Sequence, residues 1–191
     1  MNTFSEYTQL AERTMMDSCR CAEYLDSGLI SEVGELCGLY AKSVRGDYDL
    51  MERSRDVLKE AGDCCWFVAM KLMNSFHKIN EILEIDDLSI FNKHSLSGLH
   101  DKKTMAELFL DAAFYATSIV EISYDKKSLR RNVTMFFATL ASLLNRFGYT
   151  LAEAMEVNIA KLSKRKELGK IVGSGDNREE LTDAPFCGCI D

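Results

Sequence analysis

The chain has 191 residues, of which 47% are hydrophobic, and it carries a formal charge of -7 with a pI near 5.1. That apolar content excludes a wholly disordered chain. The acidic balance argues against a protein that neutralises nucleic-acid phosphates, which takes clustered Lys and Arg, but leaves open a small anionic substrate met locally by a bound cation.

A single proline, Pro185, and 11 glycines leave little to punctuate the chain, so long helices are expected rather than short strands. Residues 4–26 read as a first helix, with Phe4, Tyr7, Leu10, Ala11, Met15 and Cys19 at three- and four-residue steps behind Asn2, Thr3 or Ser5 as cap. A second helix begins near Ser27 or Gly28, carries Ile30, Val33, Leu36, Cys37, Tyr40, Ala41 and Val44, and stops at Gly46. Asp47 to Ser54 is a polar loop. The third helix runs from about Asp56 to about Ile79 on Val57, Leu58, Ala61, Cys64, Cys65, Phe67, Val68 and Leu72.

Residues 80–103 hold the weak breakers Asp86, Asp87, Asn92 and Gly98 and read as a loop or a short helix. Helices resume at about 104–123 and 129–147, around a gap at Tyr124 to Ser128. The last helix spans about Thr150 to Leu168, with Thr150 and Glu153 spaced as a capping box. From Gly169 the sequence is polar and glycine-rich, so residues 171–191 are expected to form a flexible C-terminal tail after a single domain over 1–170. The pair of stretches at 105–122 and 133–149 imitates the pair around 30–46 and 57–73 in length and apolar pattern, without the acids. Such likeness is what a duplicated hairpin leaves, and equally what any amphipathic helices share.

The seven cysteines are an odd number, and the opening MNTFSEYTQL has no apolar signal segment. No apolar run approaches the roughly 18 residues that a membrane helix takes, so a reducing, cytoplasmic setting is expected. Cys19 with Cys21 and Cys187 with Cys189 form two C-x-C pairs, which is not the C-x-x-C spacing of zinc fingers. Cys37, Cys64 and Cys65 read as small core residues.

The acids carry the chemistry. Glu32 and Glu35 lie three apart on the second helix, Glu60 and Asp63 three apart on the third, with 24 residues between the two motifs. Three-residue spacing puts each pair on one helix face, and two antiparallel neighbours would bring all four acids to one spot. A lone E-x-x-E reads as a solvated helix face, but Val33, Leu36 and Cys37 flank the first pair, and Ala61, Gly62, Cys64, Cys65 and Trp66 crowd the second, so at least some of these acids are expected to point toward a packed interface. Carboxylates gathered in a poorly solvated place repel one another and take up protons unless a cation compensates. All-oxygen ligation suits a hard cation, Mg²⁺ or, as a substitute, Mn²⁺.

The segments GLISEVGELCGLYAKSVRGD, DVLKEAGDCCWFVAMKL and TLAEAMEVNIAKLSKR resemble the MazG-like all-alpha nucleoside triphosphate pyrophosphohydrolases, relatives of the dimeric dUTPases and dCTP pyrophosphatases. The likeness covers roughly residues 4–74 and 147–178, and about 75–130 has no counterpart in the short members. It implies an all-α fold, a four-helix-bundle-like core with an extra helical hairpin inserted. It implies Glu32, Glu35, Glu60 and Asp63 as Mg²⁺ ligands and the catalytic acids, with Asn158 and Lys161 touching substrate phosphate or sugar. Lys42, Arg45 and Arg165 are further candidates for phosphate contact. Trp66 is placed to stack a base or to pack in the core. The activity implied is hydrolysis of a (deoxy)nucleoside triphosphate to the monophosphate and pyrophosphate, with Glu32 or Glu35 as base, by a homodimer or a fused pseudo-dimer without nucleic-acid polymer or membrane as partner. The rival readings are a catalytically silent nucleotide-binding chain and a helical interaction protein of the same fold.

Overall fold

The first helix stops sooner than its periodicity implies, and the reason is tertiary. α1 spans Phe4–Thr14 and is capped by Thr3, whose hydroxyl accepts from the Glu6 amide at 3.1 Å. At its end the Thr14 hydroxyl donates to the Ala11 carbonyl at 2.7 Å and accepts from Trp66 Nε1 at 2.9 Å. Met15 is extended, a 3-10 turn takes Asp17–Cys19, and α2 then runs Ala22–Arg45. The expected boundary near Ser27 or Gly28 therefore falls inside α2. At the other end Gly46 adopts φ +92, a left-handed cap that costs a glycine little, as the sequence predicts.

The computed structural model describes residues 1–92, 102–121 and 125–171, and every regular element among them is helical. The loop after α2 holds a 3-10 turn at Leu50–Arg53, and α3 spans Ser54–Asn74. The third helix is thus shorter than expected: Phe76 sits at φ +60 and breaks it, and Ile79 opens α4 (Ile79–Leu83) instead. α5 covers Ser89–Asn92, α6 Met105–Glu121 and α7 Lys126–Asn145. α7 starts earlier than the apolar pattern shows because the Asp125 carboxylate caps it, accepting the Lys127 and Ser128 amides at 3.2 and 3.1 Å. α8 spans Leu151–Glu167 with the expected capping box between Thr150 and Glu153. The expected tail at 171–191 and the Cys187–Cys189 pair lie almost entirely outside the described residues, as do parts of the 80–103 and 124–128 segments.

α3 is the central helix, buried along nearly its whole length from Val57 to Leu72, and it packs on α2, α8, α1, α7 and α4. The α6–α7 hairpin lies against the α2–α3 hairpin, with α6 on α2 and α7 on α3. The Tyr40 and Phe109 rings stack at 5.0 Å across α2 and α6, and Cys37 Sγ donates to the Phe109 carbonyl at 3.4 Å. Phe4, Phe91 and Phe137 join α1, α5 and α7 with ring centroids 5.3 to 6.0 Å apart. No helix of the described residues is long and apolar enough to cross a membrane.

α8 approaches α3 closely at Gly62. A Cβ there would stand 2.4 Å from the Ala154 carbonyl oxygen and 3.0 Å from Asn158 Cβ. Backbone cannot yield as a side-chain end does, so the glycine sets how near the helices come. Gly62→Ala is accordingly expected to lose about 1–3 kcal/mol in urea denaturation, despite alanine's better helix propensity. A loss below about 0.5 kcal/mol would contradict the close contact.

Candidate metal centre

The α2–α3 hairpin brings three acids from two helices to one place. One carboxylate oxygen from each of Glu32, Glu60 and Asp63 lies within 4.8 Å of the other two, and all three side chains are half-buried. At that spacing two ionised carboxylates repel by roughly 3–4 kcal/mol for an effective dielectric of about 20. Packing against the buried side of α3 holds them there: Ala61, Cys64 and Cys65, which alternate with the acids, are fully buried.

α8 completes the cluster. Because Gly62 admits α8 so closely, Asn158 and Lys161, three apart on α8, both reach Asp63. The Asn158 amide nitrogen donates to Asp63 Oδ1, and Lys161 Nζ donates to both carboxylate oxygens, at 2.6 Å to Oδ1. The Asp63 and Lys161 side chains are only 15% and 16% exposed. Asn158 is buried, and its Oδ1 has no hydrogen-bond partner among the described residues. Three carboxylates make an all-oxygen donor set, which fits a hard divalent cation such as Mg²⁺ or Mn²⁺.

Glu35 stands apart from this triangle. It is exposed on α2 and lines an open cleft of about 530 Å³ between α2 and α3, together with Lys42, Lys59 and Glu60. Glu60 thus borders both the triangle and the cleft. Gly34 and Gly38 also face the cleft, and no atom lies within 4 Å of where a Cβ would be on either. Lys59 was not among the sequence candidates. Its signal was its place beside Glu60 and three residues after Asp56, whose carboxylate its ammonium reaches at 3.5 Å.

The remaining expected contacts are dispersed. Lys42 lies on the cleft wall. Arg45 is exposed at the end of α2 and forms an ion pair with Asp47, Nε to Oδ1 at 2.9 Å, away from the cleft lining. Arg165 is buried, a place in the packing rather than on an open surface. Trp66 is in the core, edge-on to Phe67 with centroids 5.0 Å apart, so it does not present a face to a base. Cys19, Cys21, Cys37, Cys64 and Cys65 are free thiols, and the acid triangle is the one group of three or more metal-capable side chains among the described residues.

No protein-family model matches the chain, and neither the curated proteins nor the solved structures contain a match.

The acids also act on their neighbours. Burial pushes the Cys64 thiol well above its ordinary 9.0, and the charges of Cys65, Glu32, Asp63 and Glu60 add to the rise. Burial likewise raises Cys65, with Asp63 contributing. A thiol whose pKa rises on folding leaves stability intact below the unfolded value and erodes it as pH climbs beyond. Urea denaturation between pH 8 and pH 10 is therefore expected to show stability falling above pH 9, approaching about 1.4 kcal/mol per pH unit for each thiol. The Cys65→Ala variant should show a shallower fall, and a flat profile in both proteins would contradict the burial of the pair.

Proposed function

We propose that the chain is a divalent-cation-dependent hydrolase of nucleoside triphosphates that releases pyrophosphate and the monophosphate. The observation that carries this reading is the convergence of Glu32, Glu60 and Asp63 from two helices beside Lys161, at the edge of a cleft that Lys42 and Lys59 also line. The likeness of the E-x-x-E, E-x-x-D and N-x-x-K-L-x-x-R segments to the MazG-like pyrophosphohydrolases supports the same chemistry.

Glu32, Glu60 and Asp63 would hold Mg²⁺, which when bound would supply neutralisation of charge on phosphate oxygens. The chain's own residues do the rest. Lys42 and Lys59 meet the polyphosphate along the cleft wall, where their charge counters the acids around them. Glu35, free of the triangle and open to the cleft, holds the attacking water and accepts its proton. Water oxygen bonds to phosphorus, the bridging P–O bond between α and β phosphates breaks, and the electron pair leaves with the departing phosphate oxygen. The α6–α7 hairpin, seated with α6 on α2 and α7 on α3, takes the role that a second subunit's hairpin plays in a dimeric relative.

A pyrophosphate-release assay on a panel of ribo- and deoxyribonucleoside triphosphates with MgCl₂ tests the reading. Turnover should require the metal, and Glu60→Gln and Asp63→Asn should each lower kcat about 100-fold or more with the helical circular dichroism retained. Glu35→Gln should lower kcat while leaving Mg²⁺ affinity within about twofold. Release of no pyrophosphate from any nucleotide would favour a silent binding protein and overturn the proposal.

A further inference from the structure

Lys161, half-buried, is held against Asp63 more tightly than a residue waiting for substrate needs to be. Its ammonium bonds both carboxylate oxygens, Asn158 of the same helix bonds Oδ1 as well, and the pair is mostly shielded from water. Charge-assisted bonds in such a place are strong. A cation drawing on Asp63 must therefore compete with one already there. Lys161 could not be placed so by chance of a flexible stem: Gly62 fixes the distance between α3 and α8, and Asn158, one turn before Lys161, locks α8 in register with Asp63.

We infer that Lys161 is a positioning residue, a built-in counter-cation that holds Asp63 while no metal is bound and gives up at least one of its two oxygens when a divalent cation arrives. The inference rests on the divalent-cation reading of the acid triangle. It has two consequences of opposite sign. In the metal-free protein Lys161 relieves repulsion among Glu32, Glu60 and Asp63 and so stabilises the fold. Toward the metal it is a competitor and lowers affinity. The exchange also frees an ammonium beside Asp63 at the moment the cation enters, so that metal binding and the capture of a polyphosphate become linked.

The test measures Mn²⁺ binding to the full chain by electron paramagnetic resonance, without nucleotide, together with thermal melting in EDTA and in Mn²⁺. Lys161→Met is expected to bind Mn²⁺ about tenfold more tightly than the wild type, the loss of one competing charged hydrogen-bonded pair. It should melt lower than wild type in EDTA and recover most of that difference in Mn²⁺. Lys161→Arg, which keeps the charge, should behave as wild type in both. Affinity that is unchanged or weaker in Lys161→Met overturns the inference and makes Lys161 a support for Asp63 geometry. Wild-type protein that binds no Mn²⁺ overturns the metal reading itself, and the inference with it.

Discussion

Three carboxylates held within 4.8 Å of one another, on helices that cannot easily part, are the constraint around which the rest of the molecule is arranged. Left alone they would push α2 from α3 or take up protons. The packing opposes the first: α3 is buried over most of the stretch from Val57 to Leu72, and its small residues Ala61, Gly62, Cys64 and Cys65 let neighbouring helices close in around the acids. Lys161 sets a positive charge directly against Asp63. A cluster of like charges kept in place by apolar burial is a poor device for stability alone, since hydrophobic replacements of similar size would serve better.

The site joins parts of the chain that are distant in sequence. Asp63 and Lys161 are 98 residues apart, and their contact depends on Gly62 lying where α8 crosses α3. The α6–α7 hairpin intervenes in sequence but not in space, for it packs on the α2–α3 hairpin and leaves the α3–α8 contact intact. The cleft and the triangle therefore share Glu60 and both draw on α2 and α3, while α8 reaches the triangle at Asp63.

Much of this was legible in the residues, and the failures have physical causes. Local devices read well: the Thr150–Glu153 capping box and the Gly46 stop depend on near neighbours along the chain. The end of α1 did not read, because the apolar steps continue through Met15 and Cys19 while Thr14 is fixed by Trp66 from another helix. Glu35 was grouped with Glu32 because residues three apart share a face, yet they differ by about 60° around the axis. That angle is enough to turn Glu32 toward α3 and leave Glu35 on the cleft. Arg165 came from the resemblance as a candidate for phosphate contact, and only the packing of α8 buries it. Asn158 and Lys161 came from the resemblance rather than from any pattern of their own, and their meeting at Asp63 is a property of the folded chain.

The account turns on whether the acid triangle holds a divalent cation. Anomalous diffraction from crystals grown with MnCl₂, collected at the manganese edge, puts that question most directly. It should give a peak bonded to carboxylate oxygens of Glu32, Glu60 and Asp63, with Lys161 drawn back from at least one Asp63 oxygen. A data set with no peak there, and Asp63 still held by both Lys161 and Asn158, would contradict it.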